Sequence, residues 1–348
     1  MVSICRAVIG GIGVAHPPSL SQGELWEGYF SAHYAGVARG LAKRIFQHSG
    51  VDTRHAVINP MVEDPSGWPT GLRMARYLAE ALPLGKDAVS AALGQADVAA
   101  SDVGMLVVCS CTGYATPGLD ILLARDLNLP PDARRVFVGH MGCYAALPGL
   151  GVAADYVALN GRPAVLLCVE LPSLHVQPPT VDPQQVVAHA LFSDAAAAVV
   201  LVPDGSGRAV AEVASLTDTT TADHMTWQVT DLGFRMGLSA RVPDVLARYV
   251  GPLVSGLLGR HELTVAGVEG WAVHPGGPRI LDVVGEQLGL DARVMAPSRA
   301  GLAEHGNCSS PTVLMILERL LCEEVPRDEP VVMMAFGPGL TLYAALLR

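Results

Sequence analysis

The hydrophobic positions of this chain form short unbroken runs that alternate with stretches of helical periodicity. Residues 105–108 and 165–169 are continuous apolar runs, as expected of strands buried on both faces. Apolar residues spaced three and four apart predict helices over 29–46, 72–82 and 86–93. The same pattern predicts helices over 117–127, 242–258, 279–288 and 310–321 and strands over 136–138, 195–202, 270–273, 331–336 and 340–346. Strands and helices therefore alternate, which indicates an α/β fold with sheets between layers of helices.

The chain divides near residue 205, where Asp204-Gly205-Ser206-Gly207 is polar and rich in glycine. We therefore expect an N-terminal half over 1–205 and a C-terminal half over 206–348. In both halves a helix precedes a buried strand, and both halves end on an apolar strand. This shared order predicts two similar halves related by duplication, although few residues are identical between them.

Composition narrows the class of protein. The chain is 50% hydrophobic and 16% charged, which supplies a large core and excludes a disordered chain. A net charge of −10 and the lack of a Lys/Arg-rich block argue against nucleic-acid binding. No apolar run reaches the roughly 18 residues of a membrane span, and 7–15 suits a first buried strand better than a signal peptide. Seven cysteines without dense spacing indicate a reducing, cytoplasmic location.

Cys143 is the first candidate for chemistry. It follows a short apolar strand and a glycine turn, and it precedes a run of small residues suited to a buried helix. Free N–H groups at a helix N-terminus favour negative charge, so we expect a lowered thiol pKa and a reactive thiolate. A buried, inert cysteine is the alternative interpretation. The pair Cys109-x-Cys111 lacks the second pair that a zinc site usually needs, so we expect no metal site.

Two further stretches carry candidate chemistry. His274 stands directly after the strand 270–273 and before a turn rich in glycine and proline, where catalytic groups are often presented. Asn307 lies in the run Gly-Asn-Cys-Ser-Ser-Pro at a helix start. Each has a structural alternative, namely a core histidine and an ordinary helix cap. Residues 336–339, Phe-Gly-Pro-Gly, fit a tight turn between two strands.

Together, in this order and spacing, these motifs resemble the type III polyketide synthases, the chalcone and stilbene synthase-like branch of the thiolase superfamily. The resemblance covers nearly the whole chain, and around Met-Gly-Cys143-Tyr-Ala-Ala it is similar to bacterial members. His274-Pro-Gly-Gly-Pro and Gly306-Asn307 match the other two catalytic motifs, and Phe336-Gly-Pro-Gly matches the C-terminal loop. The resemblance implies a thiolase-like duplicated five-layer αβαβα architecture.

The departures from the family pattern are few. They are Ser193 and Ala195, where glycines are usual, Cys308 in place of an aliphatic residue, and Ala335 in place of a frequent glycine. None of them removes a reactive group, so we expect them to alter the shape of the pocket and with it the product.

The resemblance implies an acyltransferase that loads an acyl-CoA starter on Cys143, extends it with malonyl-CoA by decarboxylative condensation, and cyclises the chain. His274, as an imidazolium, would stabilise the Cys143 thiolate. His274 and Asn307 would also donate hydrogen bonds to the enolate formed from malonyl-CoA. Small residues near the motifs favour a fatty acyl starter, and pyrone, resorcinol and naphthalene products stay open. CoA thioesters are the expected substrates, with no bound cofactor.

Other pocket residues follow from the resemblance alone. Phe192 and Phe234 would separate the CoA tunnel from the reaction cavity. Cys111 would line the cavity near the nucleophile. Backbone N–H groups at Gly337 and Gly339 would contribute to the oxyanion hole.

Contacts with CoA and with a second subunit also follow from the resemblance. Arg44 lies in a segment similar to the CoA-contacting helix, although His48 stands where a lysine is common, and Arg279 would meet a phosphate. Thr116-Pro117-Gly118 resembles the loop that crosses the dimer interface and carries a cis X-Pro bond. We therefore expect a homodimer in which Thr116 approaches the partner's pocket.

Three other functions stay open. An initiating β-ketoacyl-ACP synthase shares a Cys-His-Asn triad but would want a basic patch for its carrier protein, and this acidic chain shows none clearly. A cysteine hydrolase would not need the Phe-Gly-Pro-Gly loop. A catalytically silent partner subunit would not need Cys143, His274 and Asn307 intact.

Overall fold

The computed structural model describes residues 6–36 and 38–348 and consists of alternating strands and helices, as predicted. The strands are β1 Ala7–Ala15, β2 Ser19–Ser21, β3 Thr53–His55, β4 Met105–Cys109, β5 Arg134–Val138, β6 Ala164–Glu170, β7 Ala195–Pro203, β8 Val210–Thr217, β9 Met225–Thr230, β10 Gly233–Leu238, β11 Gly270–Val273, β12 Val331–Gly337 and β13 Thr341–Leu347. The α-helices are α1 Gln22–Leu25, α2 Ser31–His33, α3 Arg39–Gln47, α4 Thr70–Ala96, α5 Leu119–Asp126, α6 Ala146–Asn160, α7 Pro183–Leu191, α8 Val242–Arg260, α9 Pro278–Leu288, α10 Ala296–His305 and α11 Pro311–Arg319. Short 3₁₀ or π turns lie at Trp26–Phe30, Ala100–Asp102, Gly142–Tyr144, Pro172–His175, Thr219–Thr221, Val265–Gly267 and Leu320–Glu324.

Two large sheets form the frame of the molecule. The first has the strand order β1-β7-β6-β4-β5, in which β4 runs parallel to both of its neighbours and β7 runs antiparallel to both of its own. The second has the order β11-β12-β13-β8, with only β11 and β12 parallel. All strands of the first sheet lie before residue 205 and all strands of the second lie after it.

Helices cover both sheets on both faces. A central core between the sheets contains α6 and α11, while α4 and α5 pack on the outer face of the first sheet and α8 and α9 on that of the second. Within β4, Val107 and Cys109 point into the central core and Leu106 and Val108 into the outer one. The order helix, sheet, helix, sheet, helix confirms the αβαβα architecture.

The central helix α6 is apolar on nearly all sides. By length and composition, residues 142–160 are sufficient to cross a membrane, which corrects the expectation that no run of that length exists. However, 61% of this stretch is buried inside the fold, and Leu150 is fully buried in the central core. Gly149 lets the helix lie close to Leu166 and Cys109 of the first sheet. Its composition is therefore that of a core helix packed between two sheets.

The helices predicted over 72–82 and 86–93 are one continuous helix, α4, of 27 residues. Pro83 lies inside it and removes one helical hydrogen bond. The helix continues because its buried face packs against the first sheet at very short range. A Cβ on Gly13 of β1 would lie only 2.3 Å from the carbonyl oxygen of Ala88. This burial outweighs the loss of one hydrogen bond.

Other elements also differ from the sequence pattern. The helix predicted over 29–46 is interrupted, because the chain turns after His33 and becomes helical again at Arg39. The hydrophobic pattern did not predict α7, α10, β8 or the hairpin β9–β10. These elements are short, and β8 has an exposed face at the edge of its sheet, so their hydrophobic patterns are weak.

Candidate active site

Cys143 lies in the connection between β5 of the first sheet and the central helix α6. After β5 the backbone passes through His140 and Gly142 with φ of 65° and 71°, and a 3₁₀ turn then leads into α6. A Cβ on Gly142 would lie 3.0 Å from Cδ of Pro338, so both backbone conformation and space require glycine there. The turn places Cys143 in the wall of a cavity, just before the N-terminus of α6.

His274 follows β11 directly, as predicted. Its amide donates to the carbonyl of Met334 at 2.8 Å, which extends the strand pairing by one residue. The side chain is 1% exposed, and neither ring nitrogen has a hydrogen-bond partner in the described part of the chain. A buried imidazole without partners is unusual, and it leaves both nitrogens available to a ligand.

Asn307 is held by a short pairing between the two halves. Its amide donates to the carbonyl of Leu191 at 2.8 Å, and its carbonyl accepts from Ser193 at 3.0 Å, which forms a parallel bridge with Phe192. The side-chain Oδ1 accepts the Ser309 amide at 2.8 Å. Because Oδ1 is occupied in this way, the Nδ2 amide is the donor that faces a ligand.

The three residues meet in one cavity. Cys143, His274 and Asn307 line a space of about 570 Å³ whose remaining walls are mainly apolar. Its mouth lies between the end of α3 and the start of α9. A smaller cavity of about 110 Å³ adjoins it on the other side of Cys143. Both cavities are bordered by Cys143, Phe192, Met225 and Met236.

Phe192 and Cys111 both lie beside Cys143. Phe192 borders both cavities, and Cys111 lines the smaller one with Cys143. Trp227, which the sequence analysis did not single out, lines the smaller cavity and donates its indole N–H to the Cys111 carbonyl at 2.8 Å. These side chains form one continuous wall around the thiol.

The prediction for Phe234 is wrong in its geometry. Phe234 lines neither cavity, and its ring stacks on His175 with centroids 4.5 Å apart. Met236, two residues further along β10 and paired with Trp227, occupies the boundary instead. The aromatic side chain suggested Phe234 in the sequence, whereas both residues lie on the same face of β10 and only the position along the strand decides which one reaches the cavity.

The loop 337–339 also differs from its expected role. Pro338 lines the smaller cavity, whereas Gly337 and Gly339 line neither. A Cβ on Gly337 would meet the ring of Tyr144 at 2.7 Å, so this glycine serves close packing behind the cavity wall. The backbone of 337–339 is therefore a support for the turn that carries Cys143.

Residues expected to contact CoA are divided between the mouth and the surface. Arg279 lines the mouth in the first turn of α9, is 63% exposed, and lies 3.3 Å from Glu286. Arg44 is exposed on α3 but does not line the cavity, and Ile45 and His48 of the same helix do. The direction of each side chain around α3 explains the difference, because residues one apart face different sides.

Thr116 lies outside the pocket of its own chain. It is exposed, its hydroxyl is 3.2 Å from the Tyr114 hydroxyl, and the Thr116–Pro117 bond is cis as expected. The loop follows the end of β4, next to the edge strand β5.

Burial controls the protonation of the site. Burial raises the pKa of the Cys143 thiol to about 12, although a hydrogen bond with Ser309 acts in the opposite direction. Burial also lowers the pKa of His274 to about 3. This direction runs against the expected lowered thiol pKa and imidazolium partner, because desolvation disfavours the charged form of both groups.

Glu170 is a site residue that the sequence analysis missed. It is fully buried at the end of β6 and accepts hydrogen bonds from the Cys111 amide at 3.0 Å and from the hydroxyls of Thr112 and Ser310 at 2.6 and 3.2 Å. Burial raises its pKa to about 7. A single acidic residue inside the apolar run 164–170 was the signal that could have identified it.

Two family models match this chain. The model of the N-terminal domain of chalcone and stilbene synthases matches residues 2–205, and the model of their C-terminal domain matches residues 212–348. Together they account for nearly the whole chain.

Relatives and solved structures agree with these models. A 1,3,6,8-tetrahydroxynaphthalene synthase of Streptomyces peucetius subsp. caesius is 36% identical over 90% of this chain and 85% of its own length. The "alpha-pyrone synthesis polyketide synthase-like Pks18" of Mycobacterium tuberculosis is 31% identical over 87% of this chain and 81% of its own. The crystal structure of PKS-I from the brown alga Ectocarpus siliculosus superposes with a TM-score of 0.93 at 29% identity, covering 99% of this chain and 98% of that one.

We predict that Glu170 makes stability fall as the pH rises. Its folded pKa of about 7 lies above the usual 4.5, so the unfolded chain loses this proton first. The stabilising contribution is complete below about pH 4.5 and is lost as the pH passes 7, by up to about 3 kcal/mol. Urea unfolding of the parent and of Glu170→Gln between pH 4.5 and 8 measures it. The advantage of the parent should shrink with rising pH, and a constant difference would contradict the prediction. Exposed Glu286→Gln is the control.

Proposed function

This chain belongs to the family of chalcone and stilbene synthases, the type III polyketide synthases, and on that premise we propose that it extends a fatty acyl-CoA starter with malonyl-CoA and cyclises the product. Enzymes of this family are acyltransferases that catalyse decarboxylative Claisen condensations. The specific starter and the ring that is formed are the parts that we propose.

One observation carries the proposal. A thiol, an imidazole with two unpartnered nitrogens and an amide donor line one mainly apolar cavity of about 570 Å³. An apolar wall suits an alkyl chain, and the polar groups gather beside the thiol where a thioester carbonyl would lie. The mouth is formed by the start of α9, whose free N–H groups and Arg279 suit a CoA phosphate.

The loading of the acyl group starts with a neutral Cys143 thiol and a neutral His274 imidazole. His274 takes the proton of Cys143 as the sulfur attacks the thioester carbonyl, and the departing CoA thiolate receives that proton. A neutral imidazole can do this because it has one free lone pair. Proton transfer during the attack avoids a buried thiolate in the resting protein, which burial disfavours.

Extension requires donors on an enolate. When malonyl-CoA loses CO₂, negative charge develops on its thioester oxygen, and the Nδ2 amide of Asn307 together with an N–H of His274 would stabilise it. The carbanion then attacks the acyl group on Cys143, and the lengthened chain returns to CoA. The cavity around Phe192 and Met236 would set how long the chain grows before it cyclises.

We predict that Met236 limits the length of the acyl starter that the enzyme can use, whereas Phe234 does not. Mass spectrometry of products from acyl-CoA starters of increasing length with malonyl-CoA tests this and the fatty starter together. Met236→Trp should narrow the boundary between the cavities and lower turnover of long starters about tenfold or more, relative to short ones. Phe234→Leu, outside both cavities, is the matched control and should keep the parental length profile. Parental use of malonyl-CoA alone, with every fatty starter refused, would refute the fatty starter. Malonyl-carrier protein in place of malonyl-CoA should give no product.

We predict that Asn307 serves decarboxylation only and His274 serves both steps. Asn307→Ala should still take radiolabelled acyl on Cys143 but release CO₂ from malonyl-CoA about 10²–10³ times more slowly, since one donor to the enolate is lost. His274→Ala should fail at both steps because no base remains for the buried thiol. Single-turnover loading and CO₂ release are measured separately, with Cys143→Ala as the unlabelled control. Parental CO₂ release by Asn307→Ala would leave this residue with only its structural hydrogen bond to Ser309.

We propose that the chain forms a homodimer through the loop 114–117 and the edge strand β5. Tyr114 is 67% exposed and Phe137 is 42% exposed, large apolar surfaces beside an unpaired strand edge. A second copy of the chain would cover them and bring Thr116 toward the partner's pocket.

The dimer is tested by sedimentation equilibrium. The parent should sediment as a dimer at micromolar concentration, and Phe137→Asp should shift it toward the monomer because a charge at a buried contact is unfavourable. Val229→Asp, which alters a more exposed apolar residue on β9, is the control and should stay dimeric. A monomeric parent would show that this face is left uncovered.

A further inference from the structure

Three histidines meet at a point where both halves of the chain come together. His16 follows β1, His55 ends β3, and His305 ends α10. One ring nitrogen of each lies within 4.8 Å of those of the other two. The residues are 39 and 250 positions apart, so no short motif in the sequence could indicate the cluster. It lies outside the cavity that holds Cys143.

The hydrogen bonds of His55 fix where its proton lies. Its Nδ1 is 3.0 Å from the carbonyl oxygen of Pro17, which can only accept, so Nδ1 carries the hydrogen. The Nε2 of the neutral ring therefore carries a lone pair, which accepts the hydrogen of His305 Nδ1 at 3.0 Å. Two imidazole ligands on a tetrahedral Zn²⁺, at 2.0–2.1 Å from the metal, stand about 3.3 Å apart. The pair thus already has nearly the separation of two zinc ligands.

Hydrogen-bond acceptors lie beside the rings of His55 and His305, on the side away from the pair. The Pro17 carbonyl holds the His55 ring, and Oε2 of Glu304 lies 3.8 Å from Nε2 of His305. A proton moved from Nδ1 to Nε2 of His305 would face that carboxylate and leave Nδ1 free. Metal-bound histidines usually donate their second N–H to a carbonyl or carboxylate in this way. The His55 ring therefore has the supporting partner that a metal ligand needs, and the Glu304 carboxylate stands near His305 to act as the second.

The third ring supplies an unsatisfied polar group. Nδ1 of His16 is buried and has no hydrogen-bond partner in the chain as described. The ring stacks on those of His55 and His305 at 4.2 and 4.7 Å between centroids. Stacked lone pairs point side by side, so a shared cation requires a turn of His16 about its side-chain torsions.

An entry path reaches the cluster. A cavity of about 280 Å³ lies beside it, lined by His16, Glu304 and His305 together with residues of α11. A hydrated cation can approach through this space, and a water molecule can fill a fourth coordination position.

We propose that His16, His55 and His305 bind one Zn²⁺ or a similar divalent transition metal, and that this ion ties the two halves together next to the Asn307 segment. Imidazole is a preferred ligand of zinc, copper and nickel, whereas calcium and magnesium prefer oxygen. His305 is two residues before Asn307, and the His55 carbonyl accepts from Asp194, in the segment that pairs with Asn307. The ion would therefore be structural and separate from the acyl-transfer chemistry. A metal at this place would depart from the expectation, made from Cys109-x-Cys111 alone, that the chain has no metal site.

Zinc titration of the full chain tests the proposal. The protein is freed of any affinity tag, stripped of metal with a chelator, and carries Cys143→Ala and Cys322→Ala so that thiols do not compete. Competition with a chromophoric chelator should give one Zn²⁺ per chain at micromolar concentration or tighter. Magnesium should not compete. Bound Co²⁺ should give the intense visible bands of a tetrahedral site.

The histidine variants decide the ligands. His55→Gln and His305→Gln should each weaken zinc binding at least tenfold, while His261→Gln, a surface histidine paired with Glu212, should leave it unchanged. Zinc should also raise the melting temperature of the parent and not of His305→Gln.

A second measurement needs no variant of the cluster. Zinc should protect His16, His55 and His305 of the otherwise unmutated chain from diethyl pyrocarbonate, as read by peptide mass spectrometry, and should leave His261 reactive. Absence of both stoichiometric binding and this protection would overturn the proposal, even if the Gln variants fail to fold. Unchanged zinc affinity in folded His55→Gln and His305→Gln would overturn it as well.

Discussion

The structure depends on the burial of two helices, α6 and α11, between two sheets. A helix in that layer is covered on both sides, so its sequence must be apolar or small around its circumference, as α6 is. The candidate active site lies where these helices begin. Cys143 immediately precedes α6 and Asn307 lies four residues before α11, one from each half of the chain. Packing of the central layer therefore fixes the distance between groups that are far apart in sequence.

The same burial determines the chemistry of the site. Removal of water raises the pKa of Cys143 and Glu170 and lowers that of His274, so the free site carries far less charge than its residue types suggest. Neutral groups in a dry, apolar cavity tolerate an alkyl chain, and the charge of the reaction develops only when substrate is present. The two ring nitrogens of His274 have no partner in the described part of the chain and are therefore available to the substrate.

Much of the fold could be predicted from the sequence, because its central strands are continuous apolar runs, which are typical of strands buried on both faces. The positions of Cys143, His274 and Asn307 also followed, since each stands in a turn beside a strongly patterned element. What could not be predicted was where residues of β10 stand relative to the cavity, and the environment of the site. Met236 rather than Phe234 reaches the cavity although both lie on one face of β10, and the pKa shifts of Cys143 and His274 depend on burial that no local pattern encodes. Helix α4 continues through Pro83 because of tertiary packing.

The close approach of β1 to α4 has a mechanical consequence. The two helix atoms nearest to a Cβ on Gly13 are main-chain atoms of Ala88 and Ala92, so a smaller side chain on α4 would not make room for a larger residue on β1. A larger side chain in place of Gly13 would displace helix α4 as a whole. This helix carries Tyr77, whose hydroxyl donates to Ser110 at 2.7 Å, and the Ser110 hydroxyl in turn donates to Glu170 at 3.3 Å. Substitutions in this outermost layer, far from the thiol, can therefore act on the hydrogen bonds around Glu170 through displacement of the helix alone.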